Sequence, residues 1–285
     1  MNAFEYILSK QVQWARNNKI TLVGSKGKRG RLAYTSRLGD NLFQPLEPAV
    51  RKSFEAGDGG ELAGNPSKMC AIHSSSALGV NIFQYWLKAK QIPIIAAACG
   101  FCSKNNNYSY NIKVEQKFPI DYQFSHSPNI DVIIENSDES KFKVFAVECK
   151  FSEAYFSQGH AGLKQKYIKL DELWDTMPHL YNFAKSISPE DSKFRHLHPA
   201  QLVKHILGLT KNVGRNKFRL LYLWYDCIGH EGARHSDEIE EFSHVTTKDD
   251  IHFHALSYQD LIVKLANECR ASHENYIKYI SSRYL

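Results

Sequence analysis

The sequence predicts an α/β fold in which helices flank a central mixed sheet, with an N-terminal helix and a basic hairpin in front of it. Three observations support this fold class. Residues 110–118, 129–134 and 143–151 have the alternating or strongly apolar patterns of strands. Residues 77–89 form a strongly apolar helical segment, and a second helical pattern covers 200–211. An apolar run at 218–225, a helical pattern at 230–245 and a strand pattern at 251–256 have the spacing of a parallel βαβ unit.

The N-terminal part combines a helix with a basic turn. Apolar residues recur at helical spacing over residues 3–17, with Asn2 as a possible N-cap. Short strands over residues 19–23 and 31–36 flank a glycine-rich turn whose four cations are Lys26, Lys28, Arg29 and Arg31. The first 40 residues hold eight Lys or Arg and two Asp or Glu, which accounts for the whole-chain excess of +6. These cations could follow a DNA phosphate backbone; the alternative is a solvated hairpin tip.

The remaining elements follow in order. Residues 44–65 are rich in turn residues around a short helix near 49–56. A serine at 74–76 caps the apolar helix, and Pro93 and Gly100 frame a short Ala-rich helix. We expect the strands 110–118, 129–134 and 143–151 to form the centre of the sheet. Helical patterns cover 160–187, interrupted near Pro178, then 200–211 after Pro199, and finally 258 to about 284.

The chain has no linker that divides it cleanly, but its composition suggests two parts. Residues 1–57 contain the N-terminal helix and the basic hairpin, which we expect to pack on the core and contact DNA. Residues 58–285 contain the core and the C-terminal helices.

Composition and short motifs exclude several classes of protein. The apolar share of 43% and the charged share of 23% are typical of globular chains, and the longest apolar run, 92–99, is far too short for a membrane span. The first residues lack the pattern of a signal peptide, so we expect a cytoplasmic protein. The sequence contains neither a P-loop, nor a His-Glu-x-x-His motif, nor a Gly-x-Ser-x-Gly elbow.

One cysteine pattern has metal-like spacing. Cys70, His73, Cys99 and Cys102 supply two ligand pairs that could close a structural zinc site. Small buried side chains are the favoured explanation, because a lone Cys-x-x-Cys at a helix end usually has that role.

Two acids and a lysine on consecutive strands carry the strongest chemical signal. Asp131 lies in the strand 129–134, and Glu148 and Lys150 share one face near the end of 143–151, because side chains alternate along a strand. A hairpin would bring Asp131 close to Glu148, and adjacent carboxylates repel each other unless a divalent cation lies between them. Phosphodiester hydrolysis requires such parts: carboxylates that hold Mg²⁺, and a cation that orients the attacking water.

The same acid-x-Lys pattern occurs at residues 115–117 and 191–193. The second copy lies in a Ser- and Pro-rich connection and is interpreted as a solvated loop. Glu115 lies on a strand, but no strand ending in Asp precedes it at hairpin distance. We therefore interpret it as a residue of the strand ladder or as a support for the site. For the copy at 148–150, the alternative is a salt-bridged strand end.

With these residues the sequence resembles the PD-(D/E)XK nuclease superfamily, whose signature is an Asp on one strand followed by Glu-x-Lys on the next. It is most similar to uncharacterised bacterial restriction-endonuclease-like proteins. The segments that carry the resemblance are 60–62, 73–81, 129–131, 148–153, 200–205 and 221–226. Ile130 replaces the superfamily's usual Pro before the Asp. The resemblance implies a restriction-endonuclease-like core of αβββαβ order, which agrees with the pattern of elements above.

The resemblance also implies roles for individual residues. Asp131 and Glu148 would be metal ligands, the Cys149 carbonyl would be a third oxygen ligand, and Lys150 would position or activate the water. Many members add an acid from the first core helix, for which Glu61, just ahead of that helix, is our choice; the alternative is a polar loop residue.

A glutamine on the later helix is the last residue that the resemblance marks. Gln201 matches a helix glutamine that contacts the site or the substrate in several relatives; the alternative is a solvent-facing helix residue. Together these features predict a Mg²⁺-dependent DNA endonuclease of restriction, defence or DNA processing, in which Mn²⁺ could substitute. A homodimer is expected by analogy. The alternative function is a non-catalytic DNA-binding or assembly protein that retains the fold.

Overall fold

A five-stranded mixed sheet with helices on both faces forms the body of the molecule. The computed structural model describes residues 1–24, 32–106, 108–122, 124–138, 140–156, 160–269 and 271–285. Its helices are α1 (Ala3–Asn17), α2 (Pro48–Ala56), α3 (Ser75–Ala89), α4 (Ile92–Ala98), α5 (Gln165–Ile168), α6 (Asp171–Trp174), α7 (Pro178–Ser186), α8 (Pro199–Val213), α9 (His230–Lys248), α10 (Tyr258–Cys269) and α11 (Glu274–Tyr284). Its strands are β1 (Leu22–Gly24), β2 (Leu32–Thr35), β3 (Tyr110–Lys117), β4 (Asn129–Asn136), β5 (Val144–Lys150), β6 (Phe218–Trp224) and β7 (Phe253–Ser257). Across these ranges, no helix is both long and apolar enough to cross a membrane.

The large sheet has the strand order β3-β4-β5-β6-β7. β4 pairs antiparallel with β3 and β5, whereas β6 pairs parallel with β5 and β7. The pairing of Val132 with Val147 confirms the predicted hairpin between β4 and β5. The prediction that β3, β4 and β5 form the centre was wrong, because β3 lies at the edge and β5 in the middle. The apolar strand β6 is almost wholly buried and takes the place beside β5, whereas β3 is half-exposed as an edge strand can be.

The side chains of β5 divide the core into two layers. Phe145, Val147 and Cys149 belong to the layer that contains residues of α3, α4, α10 and α11. Val144 and Ala146 belong to the opposite layer, which contains residues of α7, α8 and α9. Because side chains alternate along a strand, Glu148 and Lys150 lie on the second face. The polar end of β5 therefore lies against the α8 side of the sheet.

Two predicted helical segments are divided in the structure. Residues 160–187 contain α5, α6 and α7, and the last of these begins with Pro178 at its first position, where a missing N–H costs no helical bond. The predicted helix 258–284 is two helices, α10 and α11, with His273 as the N-cap of α11. Both helices bury apolar residues in the same core layer. The apolar pattern thus continues across a break that periodicity does not reveal.

A buried arginine joins the first helix to the last. The Arg283 side chain donates through Nε to Gln11 Oε1 at 3.0 Å and through Nη1 to the Asn41 carbonyl at 2.8 Å. Its guanidinium lies 4.1 Å from the centre of the Trp14 ring, and the residue is only 2% exposed. Contacts thus run from α1 to the C-terminal helix; the proposed division after residue 57 stays a prediction.

The basic hairpin is only partly described. β1 and β2 pair antiparallel in a separate two-stranded sheet, as the sequence predicts. Lys26, Lys28, Arg29 and Arg31 lie outside the described residues, so their contact with DNA stays a prediction.

Candidate active site

The two acids and the lysine converge where β4 and β5 pair. Glu148 Oε1 lies 2.6 Å from Lys150 Nζ, and the Glu148 side chain is 1% exposed. Asp131 Oδ2 accepts a hydrogen bond from the Cys149 backbone N–H at 2.7 Å. The structure thus brings Asp131, Glu148 and Lys150 together from two adjacent strands.

Burial and mutual repulsion separate the pKa values of the two acids. Burial, and then the charge of Glu148, raise the pKa of Asp131 well above its ordinary value. Burial alone would raise the pKa of Glu148 too, but the charges of Lys150 and His205 outweigh it and lower that pKa to about 2. Burial opposes the charge of Lys150, yet Glu148, Glu153 and Asp131 raise its pKa. The site therefore holds a Glu148–Lys150 ion pair beside a carboxyl group whose pKa is raised.

Helix α8 supplies two further side chains. Gln201 Oε1 accepts a hydrogen bond from Lys150 Nζ at 3.0 Å, so this predicted residue contacts the site. His205 Nε2 lies 2.8 Å from Glu148 Oε2 and donates to that carboxylate. His205 was not predicted as a site residue. It follows Gln201 by four residues, and positions four apart lie on one face of a helix, so the spacing could have indicated it. The two ends of the Glu148 carboxylate are thus held by Lys150 and His205.

The structure places Glu115 beside these groups. On β3, Val114 pairs with Val132 and Gln116 pairs with Ile130, so Glu115 lies opposite Asp131. Its backbone has a φ of 53°, a left-handed conformation that is costly for a residue with a Cβ. Asn129 Nδ2 donates to its carboxylate. The negative charge of Glu115 raises the pKa of Asp131. No strand ending in Asp precedes Glu115 in the chain, but the strand that carries Asp131 follows it and pairs with β3.

Replacing Glu115 with Gln is expected to increase the free energy of unfolding at pH 8 by about 3 kcal/mol. Burial raises the pKa of Glu115 to about 7 against the hydrogen bond from Asn129. A carboxyl whose pKa is raised on folding favours the folded state below its unfolded pKa, and this stability is lost as the pH rises through the folded pKa. Urea denaturation at pH 8 and pH 5 provides the check, since the gain should shrink at the lower pH. An equal gain at both pH values would contradict the prediction.

Two more carboxylates border the site. Glu153 Oε2 accepts from the Phe151 N–H at 3.2 Å, and its charge helps to raise the pKa of Lys150. Glu61 acts electrostatically on Glu115, and with Glu153 and Ser75 it lines a cavity of about 860 Å³. Glu61 therefore lies on the Glu115 side of the site, and its role as an added acid stays a prediction.

The cysteines considered as metal ligands lie in different parts of the structure. The Cys149 thiol lies in the core layer that contains α3 residues, on the face of β5 opposite Glu148. Cys70 Sγ lies 3.3 Å from Ser67 Oγ in a small cluster with Tyr34, whereas Cys99 belongs to the main core layer. Over the part of the chain that the structure describes, no group of three or more His, Cys, Asp and Glu side chains is placed to hold a metal ion.

Comparison with known proteins yields one match. A family model described as "Restriction Endonuclease associating with ARP" matches residues 8–285. No curated protein and no solved structure matches the chain.

Proposed function

Because the chain belongs to the family described as restriction endonuclease associating with ARP, we propose that it is a Mg²⁺-dependent DNA endonuclease of the PD-(D/E)XK type. The family supports a nuclease-like role. The observation that carries the proposal is the convergence of Asp131, Glu148 and Lys150 at the paired ends of β4 and β5. Mn²⁺ in place of Mg²⁺, a homodimer, and a role in restriction, defence or DNA processing belong to the same proposal.

The donor set is suitable for Mg²⁺. Asp131 and Glu148 are oxygen donors, and the Cys149 carbonyl could add a third; Mg²⁺ is commonly held by one or two carboxylates while it keeps several waters. The raised pKa of Asp131 comes from burial and from the charge of Glu148, and a dication between the two carboxylates would remove this repulsion. When bound, the metal would lower the pKa of the attacking water and balance the charge of the phosphate.

The protein's own groups would orient the reaction. Lys150, fixed by Glu148 and by Gln201, would hold the attacking water and offset charge that develops on the phosphate. His205 would keep the Glu148 carboxylate in one orientation through its hydrogen bond to Oε2. Contacts thus connect Gln201 of α8 to Lys150, and Lys150 to Glu148 of β5. Supporting contacts of this kind hold the groups of an active site in position.

The test is cleavage of supercoiled plasmid with Mg²⁺, with Mn²⁺ and with EDTA. We expect nicking in either metal, none in EDTA, and none with Asp131→Ala. Arg51→Ala, an exposed change on α2, is the control and should cleave like the wild type. A wild-type protein that binds plasmid but cleaves it under no metal would refute the enzyme and favour the non-catalytic DNA-binding alternative.

A further inference from the structure

One lysine of α8 lies on the face of that helix that is directed toward the candidate site. Lys204 follows Gln201 by three residues and precedes His205, and positions three and four apart share one face of a helix. Gln201 and His205 contact Lys150 and Glu148. Lys204 is half-buried, and its ammonium interacts electrostatically with both Glu148 and Lys150. The side chain thus carries positive charge to the border of the site.

Two lysines from the segment around α5 extend this charge. α5 packs on α7, which packs on α8, and the charges of Lys164 and Lys166 act on Lys204 of that helix. Lys166 Nζ lies 4.1 Å from the centre of the Phe124 ring.

Lys164 and Lys166 both repel Lys204. Burial, together with the charges of Lys164 and Lys166, lowers the pKa of Lys204 against the opposing charge of Glu148. Among the described residues, none of these three lysines has a carboxylate within ion-pair distance. By contrast, Lys150 is paired with Glu148 at 2.6 Å. Cations that repel one another at the border of a catalytic centre are stabilised by an anion, and the phosphodiester backbone supplies anions at a regular spacing.

We infer that Lys164, Lys166 and Lys204, here called the lysine strip, bind the DNA backbone next to the phosphate that is cleaved. This inference rests on the proposed function, since it assigns the substrate contacts of the same site. The contacts are to phosphates, so they would add affinity without selecting a base sequence.

The test measures binding separately from cleavage. A fluorescently labelled DNA duplex is titrated in EDTA at a series of salt concentrations, and the slope of the logarithm of the binding constant against that of salt is determined. In the triple variant Lys164→Gln, Lys166→Gln, Lys204→Gln, the magnitude of this slope should fall by up to about 0.9 for each lysine replaced. Lys204→Arg alone should keep the wild-type slope. A control with Lys264→Gln and Lys278→Gln changes exposed lysines on α10 and α11, in the opposite layer, and should also keep it.

The outcomes separate this inference from the proposed function. A triple variant with the wild-type slope, or a wild-type protein that binds no duplex at low salt, would overturn the lysine strip. If the slope falls as expected but the wild type cleaves no plasmid under Mg²⁺ or Mn²⁺, the lysine strip is supported as a surface that binds the DNA backbone and the endonuclease is refuted.

Discussion

Lys150→Met is expected to lower the rate of plasmid cleavage by about a thousandfold and to destabilise the fold by about 3–5 kcal/mol. The cleavage loss follows if Lys150 orients the water. The loss of stability has a separate cause. Glu148 is 1% exposed and its Oε1 atom is paired with Lys150, so the variant leaves a buried carboxylate with only His205 as a partner. Nicking rates and urea denaturation measure the two effects.

A second substitution separates the two effects. Adding Glu148→Gln to Lys150→Met removes the uncompensated buried charge, so most of the lost stability should return. Cleavage should stay absent, since the double variant lacks both a proposed metal ligand and the lysine. If Lys150→Met is as stable as the wild type, Lys150 does not compensate the charge of Glu148. Cleavage by the double variant would contradict the roles of Glu148 as a metal ligand and of Lys150 as the group that orients the water.

Arg283→Met is expected to reduce the free energy of unfolding by about 3–4 kcal/mol. The guanidinium is almost completely buried and donates to Gln11, Asn41 and Tyr279. Methionine fills a similar length but removes the donor to Gln11 Oε1 and to Asn41 Oδ1, whereas the Asn41 carbonyl keeps its hydrogen bond from Asn81. Buried acceptors of this kind cost about 1–3 kcal/mol each when unsatisfied. Urea denaturation monitored by far-UV circular dichroism gives the value.

Arg51→Met serves as the matched control for Arg283. It also replaces an arginine on a helix, but Arg51 is half-exposed and its contact with Glu55 is 3.9 Å long. Exposed ion pairs of this kind contribute little to stability. Similar losses in the two variants would mean that burial of Arg283 is not what makes it stabilising.

Much of the fold follows from local sequence patterns. The hairpin of β4 and β5 was predicted from two short strands and a polar turn, and the structure confirms it. Ser74 caps α3 with a hydrogen bond from the Ala77 N–H, within the predicted serine run. These features depend on residues close together in the chain, where strand alternation and capping chemistry act directly. The interruption predicted near Pro178 is confirmed, since α7 begins there. The break between α5 and α6 and the break within 258–284 were missed, because an apolar pattern persists on both sides of each.

The site could be predicted only in part. Asp131, Glu148 and Lys150 could be placed together, since alternation and one hairpin are sufficient. Glu115 was interpreted as a ladder residue or a support for the site, because the sequence does not show that β3 pairs with β4 in the register that places it opposite Asp131. Its left-handed backbone could not be predicted either, since glutamate has no local preference for this conformation.

By itself, the sequence determined which face of β5 carries the acid and the lysine, and that an acid of the preceding strand lies beside them. This is so because the two-residue period of a strand and a short hairpin involve only neighbouring residues. Only the tertiary structure decided that His205 holds Glu148, that Gln201 contacts Lys150, and that Lys204 acts electrostatically on both site residues. These contacts depend on how α8 is rotated and seated on the sheet, and that is determined by packing between residues far apart in the chain.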